Sequence, residues 1–226
     1  MQGKNFVVAL LFLVMLLPLF GQKNGCLEGN CKNGFGIFRY PNGNSYEGQF
    51  ENYMLNGTGT YNFVNGTWAG SKYTGEWKNN KMNGHGVFYY ANGDIFEGQF
   101  VNNKISGTGV FTYKNGDTYS GEWADNKCNG KGTFNYAEGE YKGCIYTGDW
   151  KNSKMAGEGV FSCPNGKKYT GQVKNNMKDG YGTLVFPDGS VYEGMFGKNK
   201  FNGKGCYTYV SGKKVCGTWK DNELQK

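Results

Sequence analysis

The sequence predicts an all-β protein: a single-layer antiparallel β-hairpin solenoid of about eight 23-residue repeats, following an N-terminal signal peptide. Three observations predict it. A Gly-x-Gly pair recurs at Gly34, Gly57, Gly84, Gly107, Gly130, Gly157, Gly180 and Gly203, with spacings of 23 residues except for two of 27. Each pair is matched by a Tyr-x-Gly-x-Trp-like segment. Between these marks the apolar residues fall at every second position, as in Gly36-Ile37-Phe38-Arg39-Tyr40, which is the period of a strand. A fixed period of this length marks a repeat array, so function is expected on an extended surface rather than in a pocket.

The elements follow in chain order. Residues 1–21 carry Lys4 and then an uncharged run from Phe6 to Phe20 that includes Pro18. The run is shorter than the ~20 apolar residues of a membrane-spanning helix, and it reads as a secretory signal peptide. Left uncleaved, it would serve as an N-terminal anchor. Residues 22–33, with Cys26 and Cys31 bracketing Leu27-Glu28-Gly29-Asn30, form a shortened half repeat suited to capping the first edge strand.

Residues 34–219 are the array, and 220–226 a C-terminal tail. Its paired segments are Tyr46-Gly48-Phe50, Tyr73-Gly75-Trp77, Phe96-Gly98-Phe100, Tyr119-Gly121-Trp123, Tyr146-Gly148-Trp150, Tyr169-Gly171-Val173, Tyr192-Gly194-Phe196 and Val215-Gly217-Trp219. In each, the aromatics and the glycine share one face. A glycine leaves a hollow that a neighbouring ring covers, which compensates its poor strand propensity. Asn65-Gly66, Asn92-Gly93, Asn115-Gly116, Asn165-Gly166 and Asp188-Gly189 supply the positive φ of tight hairpin turns, and Lys78–Gly84 typifies the turn closing the opposite edge. No helical layer or second sheet is available as cover, so one face is expected to be aromatic and only partly dried by its own rings, a partner site.

Charge and cysteine narrow the classes. The net charge is +7, and from Val160 onward 11 basic residues face 5 acidic ones. Lys167, Lys168, Lys213 and Lys214 lie in this basic third and are candidates for contact with an anionic surface. Arginine is nearly absent, which argues against nucleic acid. Seven cysteines in an exported chain imply disulfides. With no Cys-x-x-Cys and only His85, no metal or other cofactor is expected.

Tyr46-Glu-Gly48-Gln-Phe50 and Gly57-Thr-Gly59-Thr-Tyr61-Asn-Phe63, repeated at 23 residues from about Leu27 to Trp219, resemble the MORN (membrane occupation and recognition nexus) repeat. The resemblance implies a twisted single-layer β-hairpin solenoid without catalysis of its own, used for scaffolding, protein contacts, self-association or contact with acidic lipid. An export signal and the lack of an attached enzymatic domain set this chain apart from many members, which puts a cytosolic lipid role in doubt.

The two 27-residue spacings reflect four-residue insertions that align over a 73-residue offset: Gly66-Thr-Trp68-Ala-Gly70 parallels Gly139-Glu-Tyr141-Lys-Gly143. Both belong on the same edge, and Trp68 and Tyr141 are candidate aromatic anchors for a partner, with folding back onto the sheet as the alternative. Cys144 and Cys163 fall on one edge and are candidates to pair. Cys206 and Cys216 flank the last hairpin and are a second candidate pair, leaving Cys128 as the odd thiol.

Catalysis is not expected. His85 has no evident acid partner, and the glycines match neither a Walker loop nor a dinucleotide turn. Glu47, Glu76, Glu97, Glu122, Asp149 and Glu193 are expected to form one carboxylate row, but equivalent positions give equivalent environments, whereas acid–base work needs two different ones. Two readings stand. One is an exported, periplasmic or envelope-associated scaffold that binds a protein or a second copy of itself through the aromatic face. The other is a module binding anionic lipid or polysaccharide through the lysine-rich third; carbohydrate recognition by exposed rings is also allowed.

Overall fold

The computed structural model describes residues 25–226; the expected leader at 1–21 lies outside them. The described chain forms two compact units, residues 25–114 with 123–126, and residues 115–122 with 127–226.

The first unit contains β1 (Cys26–Gly29), β2 (Gly34–Arg39), β3 (Ser45–Glu51), β4 (Met54–Phe63), β5 (Ser71–Lys78), β6 (Lys81–Tyr89), β7 (Ile95–Val101) and β8 (Lys104–Thr112). Each strand pairs antiparallel with the next. β9 (Thr118–Ala124) is divided between the units, with Trp123 in the first. The second unit continues with β10 (Lys127–Asn135), a 3-10 turn at Gly139–Tyr141, β11 (Ile145–Lys151), β12 (Lys154–Ser162), β13 (Lys168–Lys174), β14 (Met177–Val185), β15 (Val191–Gly197), β16 (Lys200–Thr208), β17 (Lys214–Lys220) and β18 (Glu223–Leu224). It is again an antiparallel meander. Residues 220–226, expected as a tail, thus include a strand.

Register explains the glycines. In the first unit Gly48, Gly59, Gly75, Gly86, Gly98 and Gly109 face one another across successive strands, and beside them run Tyr46, Tyr61, Tyr73, Phe88, Phe96 and Phe111. Rings lie over the glycines: a Cβ built on Gly86 would stand 2.5 Å from Cε2 and Cζ of Tyr73. The Tyr73 hydroxyl then donates to the Glu76 carbonyl at 3.0 Å. The second unit repeats the pattern, with Tyr146 over Gly159 and Tyr192 over Gly205.

The expectation of a partly dried aromatic face needs correction. Tyr46, Tyr73, Phe88, Phe96, Tyr119, Tyr146 and Tyr192 have no exposed area at all. The cause is a bulge in every second strand pair: between Gly48↔Gly59 and Phe50↔Leu55, Gln49 alone opposes three residues, and Gly57 takes φ +80°. Such a bulge bends the strand. The short arm beyond it brings Leu55, Met82 and Ile105 into the buried layer, where they pair with Phe50, Trp77 and Phe100. Edge-to-face contacts complete the layer, such as Tyr73 with Trp77 and Phe100 at 5.1 and 5.0 Å.

The turns also differ from expectation. The two-residue hairpins with two positive φ values are Asn52-Tyr53, Asn79-Asn80, Asn102-Asn103, Asp125-Asn126, Asn152-Ser153, Asn175-Asn176, Lys198-Asn199 and Asp221-Asn222, at the edge opposite the Asn-Gly turns. The Asn-Gly turns are longer loops in which only the glycine is left-handed, as at Gly43 with φ +86°, closed by Tyr40 N–H to the Asn44 carbonyl. The second residue of each tight turn ties its repeat to the one before. Asn103 Oδ1 accepts from Met82 N–H at 2.8 Å while Asn103 N–H donates to the Met82 carbonyl at 3.0 Å. Asn80, Asn126, Asn176, Asn199 and Asn222 do the same to Leu55, Ile105, Met155, Lys178 and Phe201, and Ser153 does so to Cys128.

Candidate functional site

The carboxylates are not one row. Glu76, Glu122 and Asp149 share their position with Gln49, Gln99 and Gln172, and all six side chains accept a backbone N–H just beyond the bulge glycine: from Thr58, His85, Thr108, Lys131, Glu158 and Tyr181, at 2.7–3.1 Å. Amide and acid serve equally, so the role is structural. Asp149 is held below the usual carboxylate range by Lys131, 2.5 Å away, and by the Glu158 N–H. Glu47, Glu97 and Glu193 occupy another position, two residues earlier in the segment, and Glu193 accepts from the Tyr181 hydroxyl at 2.7 Å. Among the described residues no cluster of His, Cys, Asp or Glu is placed to hold a metal ion, and no helix is long and apolar enough to cross a membrane.

The accessible part of the aromatic face is its margin. In the first unit ring centroids step from Phe38 through Tyr40, Tyr61, Phe63, Phe88, Tyr90 and Phe111 to Tyr113 at 4.5–5.7 Å. Tyr61, Phe63, Phe88 and Phe111 are buried, whereas Tyr40, Tyr90 and Tyr113, the last inward residues before their Asn-Gly loops, are half-exposed. Trp68 joins this margin. The first insertion folds back so that its ring meets Phe88 and Tyr90 at 5.7 and 6.0 Å, leaving it half-exposed.

In the second unit Tyr141 likewise folds back, meeting Tyr136 at 5.6 Å and Phe161 at 5.7 Å, and is half-exposed. Phe186 and Tyr209 continue the margin there. At Cys163 a disulfide to Cys144 interrupts it. Cys206 is bonded to Cys216 directly across β16 and β17, and Cys26 to Cys31 beside β1. Cys128 is a buried free thiol, pushed up to about 12 by burial. Three disulfides suit an oxidising environment.

Of the lysine candidates, Lys168, Lys213 and Lys214 are exposed and Lys167 half-exposed. Lys178 was not singled out by sequence. It stands where the equivalent residues are Leu55, Met82, Ile105 and Met155, its Nζ lies 5.6 and 5.9 Å from the rings of Tyr169 and Phe196, and burial lowers its pKa to about 8. Its cross-strand partner is Val173, the position held elsewhere by Trp or Phe. This paired departure from the repeat was a signal present in the sequence.

These observations define the class as an open β-hairpin repeat array with a ring-over-glycine layer and no enclosed catalytic centre among the described residues. The MORN repeat profile matches residues 23–45, 46–68, 73–95, 96–118, 119–141, 146–168, 169–191 and 192–214, and the chain belongs to the MORN repeat family. The comparison with curated proteins found no match. Among solved structures, the chain is similar to the TCP10 domain of Danio rerio CPAP, at 12% identity over 84% of each chain with TM-score 0.46. It is also similar to that domain in complex with a STIL peptide, at 14% identity over 81% of this chain and 93% of that one, TM-score 0.34. A third is the SAS-4 TCP domain of Drosophila melanogaster in complex with a proline rich motif of Ana2, at 18% identity over 60% of this chain and 72% of that one, TM-score 0.38. Likeness at this level carries no functional argument.

Proposed function

We propose that the chain is a non-catalytic, exported binding scaffold that engages a protein partner, or a second copy of itself, along the margin of its aromatic face. The observation that carries this reading is the row of accessible rings just inside the Asn-Gly edge: half-exposed Tyr40, Trp68, Tyr90 and Tyr113 in one unit, half-exposed Tyr136, Tyr141 and Phe186 with exposed Tyr209 in the other. Aromatic side chains that keep an apolar body at a wet boundary are typical interface anchors. Crosslinking and mass spectrometry on the native exported protein tests it. Crosslinks should concentrate in the loops that follow these rings, and Trp68→Ala with Tyr141→Ala should weaken capture without changing the far-UV spectrum. Undiminished capture by the double variant would discard the role of these two rings.

A second reading is supported by exposed Lys168, Lys213 and Lys214: attachment of the basic third to anionic lipid or polysaccharide. It requires binding that is lost at high ionic strength, whereas binding through the rings persists.

A further inference from the structure

We infer that the disulfide between Cys206 and Cys216 is an exchange site for an external thiol, which attacks Cys216 Sγ, forms a mixed disulfide there and releases Cys206. The site does not depend on the scaffold reading. Cys206 and Cys216 stand directly opposite each other in β16 and β17, and Tyr207, the next residue, packs inward against Phe201 and Trp219, so the bond lies on the outer face.

Exchange requires that one sulfur be reached and that the other leave as a thiolate. Burial opposes the second requirement. The buried thiol of Cys128 shows the effect in this protein, being pushed up to about 12. Cys26 is exposed, but attack on it would release Cys31, which is 7% exposed and so closely packed that a Cβ built on Gly36 would stand 2.8 Å from its Sγ. Cys163 is half-exposed, but attack on it would release Cys144, which is 4% exposed. Of the three disulfides among the described residues, only the bond from exposed Cys216 to half-exposed Cys206 joins two residues of which neither is buried.

Charge favours the same bond. Lys204 precedes Cys206 by two residues in β16 and Lys214 precedes Cys216 by two in β17, so all four side chains share the outer face. Each cysteine thus has one lysine along its own strand and the other on the diagonal, both at about 7–8 Å and within a Debye length. Both lysines are exposed and neither is in an ion pair among the described residues. Cations so placed attract an incoming thiolate and stabilise the departing one.

The neighbours also choose which sulfur is attacked. Displacement proceeds from the side opposite the bond being broken. Behind Cys206 stands its cross-strand neighbour Glu193, fixed by the Tyr181 hydroxyl at 2.7 Å, whose carboxylate repels a thiolate. Behind Cys216 the described chain has no ladder, because β18 pairs with β17 only at Trp219 and Lys220. As the incoming sulfur bonds to Cys216 Sγ, the S–S bond breaks and its electron pair leaves on Cys206 Sγ. The incoming sulfur is oxidised, Cys206 is reduced, and the proton lost by the entering thiol is balanced by the one Cys206 takes from water. Six register pairs still hold β16 to β17.

The test exposes the oxidised full chain to graded reduced glutathione, quenches with iodoacetamide and maps the peptides by mass. At the lowest glutathione concentration that opens any bond, alkylated Cys206 and glutathionylated Cys216 are expected, with the other two disulfides intact and the far-UV spectrum unchanged. Lys204→Gln with Lys214→Gln, both on the surface, should slow opening roughly twofold to fivefold at low ionic strength, and the difference should fade in high salt. Opening of either other disulfide first or at the same glutathione concentration, an adduct chiefly on Cys206, or an unchanged rate in the double variant at low salt would overturn the inference.

Discussion

Cys144 is covalently bonded to Cys163 at the place where neighbouring repeats use a hydrogen bond that Pro164 makes impossible. Ser71, Asp94 and Asp117 hold the residue that Cys144 replaces, and each accepts from the backbone N–H 20 residues on: Ala91, Lys114 and Ala137, at 2.8–3.1 Å. The corresponding residue after Cys144 is Pro164, which has no N–H. Closing a loop of this size stabilises by roughly 3 kcal/mol in the chain-entropy picture. Reductant should therefore lower Tm. A variant with Cys144→Asp, Cys163→Tyr and Pro164→Ala should recover much of that loss under reductant, while one retaining Pro164 should not; equal Tm values would refute the equivalence.

Gly86→Ala would drive a methyl into the Tyr73 ring. Overpacking of this kind costs about 1–3 kcal/mol. Gly66→Ala, where a Cβ meets nothing within 4 Å, strains only a left-handed φ of +92° in an open loop and should cost less. Urea unfolding of both variants measures the difference, and the opposite order would contradict the ring-over-glycine account.

Asn103→Ala removes the acceptor for the Met82 N–H in a buried place and puts alanine at φ +70°. An unsatisfied buried donor costs about 1–3 kcal/mol, and the backbone strain adds to it. Asn222 makes the same bond to Phe201 but is exposed, so Asn222→Ala should cost distinctly less. Thermal melts of the pair decide it.

Lys178 sets a pH dependence. Its folded pKa is lowered to about 8 from an ordinary 10.5, so the charged form is disfavoured in the fold. Between these values the unfolded chain binds the extra proton, and stability rises with pH. Above about pH 10 the buried tyrosines reverse the trend: Tyr46, Tyr73 and Tyr119 are held well above their usual value by burial, and the unfolded chain loses those protons first. Denaturant midpoints should therefore climb from pH 8 towards 10 and then fall. Lys178→Met should flatten the rise, leave the fall, and be more stable at neutral pH.

Fold class and repeat unit were legible in the sequence because a glycine beneath a ring has no substitute, and the requirement recurs in every copy. What was not legible has a common cause. Period-two patterning tells which residues share a face, but not that a bulge at Gly57 or Gly84 bends the strand and shuts that face. Asn-Gly reads as a tight turn, yet the chain from Tyr40 to Asn44 is too long for one, and the two-residue turns fall to Asn79-Asn80 and its equivalents. Trp68 and Tyr141 were recognisable as unusual rings. Their place against Tyr90 and Tyr136 depends on how each insertion folds back, which no local pattern encodes.

The acceptor beyond each bulge is glutamine at 49, 99 and 172, glutamate at 76 and 122, and aspartate at 149. Since any of the three makes the bond, exchanging them alters surface potential by one unit per repeat without disturbing the framework. An array of this kind can be retuned electrostatically, copy by copy, for partners of opposite sign while keeping one unchanging architecture.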